Sequence, residues 1–369
     1  MIYVIISAIA LIAIATFLKI KRNINIGILA MISIIILFIN GFTIFVDYKN
    51  RTDCEEVWSG KIISVEHNEE WDEYRPAWDE EITTTDKKGK KHTKTIHHPA
   101  YTEHHNATNY ITTSDEGSKE VTETLDGKPF TDSFVNSNAE LEQYYTIGMP
   151  TASVHIYENK VQASYSVYKH QSVNLDEYPD LPDYPKTVKN YTIDRIIGDL
   201  PDKDDCLKLL DKYNSELNDT GNPNNLDEKK SYKQINIIFV NLGDVTDDYG
   251  FALQDYWQGG NKNDFVVAFG SNNDKITWCY PFSWSDSEMV KIQVKDYMMQ
   301  HTNLNEFKET IGNISDLLEN GYERKQFADF NYLEIEASTA AKIIMFIFTV
   351  IGIIVMFKSK DISDYFNYL

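Results

Sequence analysis

Residues 24–46 read INIGILAMISIIILFINGFTIFV, twenty-three residues without a charge. A helix needs about 20 apolar residues to cross a hydrocarbon core. A run this long fits a membrane span better than a buried core helix. Working outward, residues 2–18 (IYVIISAIALIAIATFL) are also uncharged. Residues 337–357 form a third apolar run whose one charge, Lys342, lies close enough to its edge to reach the interface. The basic residues Lys19, Lys21 and Arg22 follow the first run and do not precede it, so it reads as a retained helix and not as a cleaved signal.

The basic residues also predict an orientation. Lys19, Lys21 and Arg22 lie between the first two spans, and Lys358 and Lys360 lie after the third. The excess of Lys and Arg on cytoplasmic loops places both clusters inside. On this reading the protein is multi-pass, its large 47–336 region is exoplasmic, and its 358–369 tail is cytoplasmic. The chain of 369 residues carries 35 Lys and Arg against 56 Asp and Glu, a net charge of −21. The first 46 residues contain no acid, so the excess of acids falls on the outer region. Such a surface argues against binding nucleic acid or anionic headgroups. The partners expected from sequence are the bilayer itself and another membrane or envelope protein.

The outer region divides by composition. Residues 47–180 are rich in Thr, Tyr, Val and His and predict a β-rich domain, with strands at 56–65, 109–113, 153–157 and 161–168. Asp126-Gly127 and residues 86–89 (DKKG) are hairpin punctuation. Residues 178–185 (YPDLPDYP) hold three prolines and open an expected linker over 181–194. Residues 195–335 alternate differently. Helical spacing marks 204–217, and a polar loop at 221–225 (GNPNN) follows. Short apolar runs at 235–240, 264–269 and 275–280 predict strands, and 249–257, 285–299 and 303–318 predict helices. Ser285 with Glu288 makes a capping-box pattern. The order predicts an α/β unit, so the expected fold class is a membrane-anchored α+β and α/β chain with three transmembrane helices.

Residues 235–242, the helix ending at Trp257, the stretch GGNKNDFVVAFG (259–270) and KITW (275–278) are similar to the TPM domain family. The resemblance covers about 100 residues. It implies an α/β domain, often exported and tethered by a C-terminal membrane helix. It also implies a link to metal binding, phosphatase activity or upkeep of membrane complexes, with Asp264 matching the polar residue that heads the second strand. The chain departs from the family after its third strand, where PFSW (281–284) stands in place of a Gly-containing turn. The whole arrangement also resembles membrane proteins of phages and AT-rich bacteria.

Three sets of residues are candidates for chemistry. Six of the nine histidines fall between positions 67 and 105, and His97, His98, His104 and His105 form two adjacent pairs. Imidazole is the commonest ligand of Zn²⁺ and Cu²⁺, and Glu66, Glu69, Glu70, Asp79 and Glu103 add carboxylates. Adjacent residues of a strand point to opposite faces, which favours a solvated hairpin over a compact metal site. Asp244, Asp264 and Asp286 lie after or beside strands of the α/β unit, where oxygen ligands for Ca²⁺ or Mg²⁺ would collect. Acids at such positions also serve helix N-termini. Trp58, Trp71, Tyr74 and Trp78 are aromatics among acids, suited to a partner surface or to cross-strand packing. An oxidising compartment would allow a disulfide between Cys54 and Cys206.

No phosphate loop, GxSxG elbow, HExxH, CxxC or kinase motif occurs. The expected function is therefore a membrane-anchored exoplasmic protein that binds a partner or organises an envelope complex. A divalent-metal hydrolase of the TPM type is the alternative, and the enzyme question stays open at this point.

Overall fold

The computed structural model describes residues 2–85, 89–124, 128–130, 135–164, 173–185, 187–188, 192–219 and 232–367. The chain begins with α1 (Ile2–Arg22) and α2 (Ile26–Thr52). Strands follow: β1 (Asp53–Asn68), β2 (Trp71–Arg75), β3 (Trp78–Thr85), β4 (Lys91–His98), β5 (Tyr101–His105), β6 (Thr108–Thr113) and β7 (Gly117–Glu120). Then come α3 (Asn138–Tyr144), β8 (Pro150–Glu158) and the single turn α4 (Lys160–Ala163). Two short pieces, β9 (Thr187–Val188) and β10 (Thr192–Ile193), lead to β11 (Ile196–Ile197) and α5 (Lys203–Leu217). The α/β part continues with β12 (Asn236–Asn241), α6 (Asp248–Tyr256), β13 (Asp264–Asn272), β14 (Lys275–Ser283), α7 (Glu288–Gln300) and α8 (Phe307–Gly321). The last helix is α9 (Thr339–Asn367).

Contacts group the chain into two compact units. One holds Met1–Glu55, Ile156–Ser172 and Gln326–Leu369, and the other holds Glu56–His155 and Val173–Lys325. This division runs differently from the compositional one, because the β-rich and α/β segments fall in the same unit.

In the first unit, α1, α2 and the Thr339–Ser359 part of α9 are long and apolar enough to cross a membrane. They carry their large apolar side chains outward, as Ile9, Ile12, Phe38, Phe42 and Phe346 show. Such a pattern suits a lipid solvent. Between the helices lie Leu11, Leu18, Leu29, Ile36 and Met356. One polar knot joins all three. Asn40 donates from Nδ2 to Ser7 Oγ at 2.9 Å and to Thr349 Oγ1 at 3.1 Å, and the two hydroxyls lie 2.8 Å apart. In a medium with no water these bonds fix the register of the helices. Gly352 allows close approach, because a Cβ there would sit 2.6 Å from Ile36 Cγ1.

In the second unit, β7-β6-β1-β8 form one sheet. Its core is Ile62, Ile111, Val121, Val135, Leu141 and Tyr145. Beyond this sheet the strand pair continues as a two-stranded ribbon, β2 with β5 and then β3 with β4. The register does not slip from Ser64↔Thr112 to Thr85↔Lys91. The ladder is interrupted at matching places on both strands, once at Pro76-Ala77 against Pro99-Ala100. Proline has no N–H to give to a ladder.

The α/β sheet has the order β11-β12-β13-β14, parallel except for the last pair. On one face α5, α7 and α8 pack Leu210, Val294, Ile311 and Ile314 against Ile237, Phe239, Phe265 and Val267. On the other, Leu253 of α6 and Trp257, which follows the helix, cover Ile238, Val240, Val266 and Phe282. The strands read as unbroken apolar runs because both faces are covered.

Several expectations need correction here. Residues 161–163 belong to the helical turn α4 and do not start a strand, and residues 165–168 of the expected strand lie outside the described residues. The Pro-rich 178–185 stretch, expected to open a linker, lies along the α6 face of the sheet. Leu181 and Tyr184 pack against it, and the Pro182 carbonyl accepts from Trp257 Nε1 at 2.9 Å. Its apolar side chains bury area, which outweighs the extended backbone that proline imposes. Ser285 is not the cap of α7; it donates to the Glu323 carbonyl at 2.8 Å, and the helix begins at Glu288 after Ser287. Asp126-Gly127, residues 86–88 and residues 221–225 lie outside the described residues. Cys54, Cys206 and Cys279 are free cysteines in the structure, Cys54 in the first unit and the other two in the second. Cys206 is held in the helix–sheet core with its Sγ 3.8 Å from the Pro201 carbonyl, and burial pushes the Cys54 thiol up to about 11.

The start of β1 is pinned to the α/β part by charge. Glu56, 1% exposed, accepts from Arg324 at 2.9 and 2.7 Å and lies 3.1 Å from Lys262. Removing one member of such a group strands the others in a poorly solvated place. Glu56→Ala is expected to cost about 3–5 kcal/mol, measured by chemical unfolding of the solubilised chain. A loss within ~0.5 kcal/mol, the size of an ordinary surface substitution, would show that the trio is only surface pairing.

Candidate functional site

The ribbon carries a duplicated pattern. On one strand Trp71-Asp72-Glu73 recurs seven residues later as Trp78-Asp79-Glu80, and on the other His97-His98 recurs as His104-His105. The register brings the copies together in the same way. Trp71 faces His105 and Trp78 faces His98, while Asp72 faces His104 and Asp79 faces His97. Each Trp stacks on its histidine, with centroids 4.2 and 4.1 Å apart and planes 10° apart in both. Each Asp accepts from the Nδ1–H of its histidine, at 2.7 Å for His104 and 2.5 Å for His97. Diagonally, Glu73 lies 3.4 Å from His105 Nε2 and Glu80 lies 3.1 Å from His98 Nε2. Each module is thus a stacked Trp–His pair beside an Asp–His pair, with a Glu reaching the stacked imidazole.

The rings face solvent. Trp71 is 55% exposed, Tyr74 68%, Trp78 54% and Tyr101 54%. Among the described residues neither ribbon strand pairs with a third strand, so both backbone edges are open. Trp58 belongs elsewhere: it is half-buried and stacks on His155 at 3.8 Å. Where the ribbon meets the sheet, a cleft of about 910 Å³ is lined by Glu70, Trp71, His104, His105, Glu120 and Phe130, among others.

The two expected metal sets are rearranged. Among the described residues, the one group of three His, Cys, Asp or Glu side chains with ligand atoms within 4.8 Å is Glu73, Glu103 and His105. Of the four paired histidines only His105 belongs to it; His97 and His104 are engaged by Asp79 and Asp72, and His98 by Glu80. Asp244, Asp264 and Asp286 are not brought together. Asp244 is exposed, and Asp286 pairs with Lys325 at 2.7 Å. Asp264 is wholly buried and accepts from Asn236 Nδ2 at 2.9 Å, Tyr184 Oη at 2.8 Å and the Asn261 N–H at 2.7 Å. Burial pushes its carboxyl up to about 6. It serves as an internal acceptor and offers no open face to a substrate.

Glu73 and Asp72 were missed by reasoning on histidine density, which also separated the aromatics from the histidines. The seven-residue recurrence on both strands was the signal available. The chain matches no family model, no curated protein and no solved structure.

The hydrogen bond to Asp72 holds His104 above the usual imidazole range. A group whose folded pKa is raised stabilises fully below its unfolded value and loses that contribution as pH rises through the folded one. The Asp72–His104 contact therefore strengthens on acidification. Imidazole titration by NMR should give His104 a higher pKa than a free histidine, and Asp72→Asn should return it to the ordinary range. An unchanged titration in Asp72→Asn would remove the pair.

Proposed function

We propose that this chain is a membrane-anchored binding protein that uses the duplicated ribbon to hold a partner protein. The observation that carries the reading is the repeated stacked Trp–His pair, with Tyr74 and Tyr101 exposed between the copies, on strands with open edges. Aromatic rings of this kind supply large contact area at low cost in side-chain freedom. Open backbone edges admit an added strand from a partner, with pockets between alternate side chains giving selectivity. An exposed aromatic ribbon on a solitary protein would be an aggregation hazard, and the charges of Asp72, Glu73, Asp79 and Glu80 along it limit that hazard until a partner docks. Three apolar helices keep the ribbon at a membrane.

We further infer that the ribbon unit is exoplasmic, from Lys19, Lys21 and Arg22 at the end of α1 and Lys358 beyond the apolar part of α9. Trypsin added to intact spheroplasts should cut between residues 56 and 325. Protection in intact cells with cutting after permeabilisation would reverse the orientation.

Replacing Trp71, Tyr74, Trp78 and Tyr101 together by Ser tests the binding surface. The variant is expected to keep its thermal unfolding profile and to lose the protein that co-purifies with the wild-type chain from native membranes. Retention of that protein would place the interface elsewhere.

A further inference from the structure

Glu73 and Glu103 stand directly opposite each other in the β2–β5 register. Like charges in this position repel and destabilise a strand pair. Arg75 offsets the repulsion in part, with its guanidinium 2.8 Å from Glu73 and 3.3 Å from Glu103. A third group converges on the same place. His105 Nε2 has no access to solvent and no hydrogen-bond partner, although Glu73 Oε2 lies 3.4 Å from it. A buried imidazole nitrogen normally finds a partner, and one without calls for an explanation. The Trp71 ring stacked over His105 limits how that imidazole can turn.

We propose that Glu73, Glu103 and His105 form a binding site for a divalent transition-metal ion of the Zn²⁺ class. Each contributes one ligand atom, and the three already lie within 4.8 Å of one another. A metal held at about 2.0–2.2 Å by imidazole and carboxylate requires only a small further convergence. The imidazole selects a borderline metal over Ca²⁺ or Mg²⁺, which prefer oxygen alone. The ion would neutralise the facing carboxylates and give Nε2, which makes no hydrogen bond, a direct ligand bond. Arg75 is its competitor, because the same carboxylates hold either cation.

The duplicated module supplies an internal control. In the second copy Glu80 and His98 repeat Glu73 and His105, but Ile96 stands opposite Glu80 where Glu103 stands opposite Glu73. The second copy lacks one ligand and is expected not to bind. This site is independent of the partner reading, since metal binding needs no second protein.

Calorimetric titration of the full chain in detergent with Zn²⁺, and with Co²⁺ as a visible probe, tests the site. A single equivalent should bind at micromolar concentration. His105→Ala and Glu103→Gln should each weaken binding by at least about tenfold, with unchanged far-ultraviolet dichroism showing that the ribbon is intact. Arg75→Gln should tighten binding, and Ile96→Glu should add a second equivalent. No binding at micromolar Zn²⁺ overturns the proposal. So does binding that survives His105→Ala and Glu103→Gln but falls with His97→Ala or His104→Ala.

Discussion

The second unit depends on a carboxylate taken out of water. Glu56 at the start of β1 is held by Arg324 and Lys262, and neighbouring contacts repeat the same tie. The Val57 carbonyl accepts from Asn263 Nδ2 at 2.6 Å, Ser59 Oγ accepts from Arg195 at 2.7 Å, and Lys61 meets Asp219 at 2.6 Å. Within six residues the strand is bonded at four points to the α/β part. Desolvated charges are tolerated only when fully paired, so this strand has one setting. Arg195, 2% exposed, extends the network inward to Asn236 and from there to Asp264 and Tyr184.

A rigidly seated β1 explains how an exposed ribbon can hold its shape. An isolated hairpin is marginal in water. Here the pair grows out of a sheet with its own core, and the register held by Val65 opposite Ile111 is carried outward past both interruptions. Cross-strand stacking of Trp on His and pairing of Asp with His then stabilise each step. The prolines at 76 and 99 fall where the ladder is already interrupted, so they cost no hydrogen bond and limit further pairing at the edges. The duplication gives the ribbon two similar modules, and among the differences between them the change from Glu103 to Ile96 gives them different chemistry.

What was legible in advance followed from burial on all sides. The strands at 236–241, 264–272 and 275–283 and the helix at 203–217 were found near their observed bounds, because doubly covered strands and amphipathic helices carry strong periodic signals. Proline content describes the backbone preference of the 178–185 stretch and says nothing of what Leu181 and Tyr184 cover. Ser285 fitted a cap pattern, but its hydroxyl was claimed by the Glu323 carbonyl, a bond between residues far apart in sequence.

By itself the sequence determined three apolar helices, a strongly acidic region between the second and the third of them, and the local identity of most strands and helices of the α/β part. These follow from length, charge and periodicity, which are local properties. Tertiary structure alone decided that the β-rich and α/β segments form one unit and that Trp71 stacks on His105. It alone brought Glu73, Glu103 and His105 together while leaving Asp264 sealed. Those outcomes depend on strand register and on which charges are withdrawn from water, and both are set by contacts between residues distant in the chain.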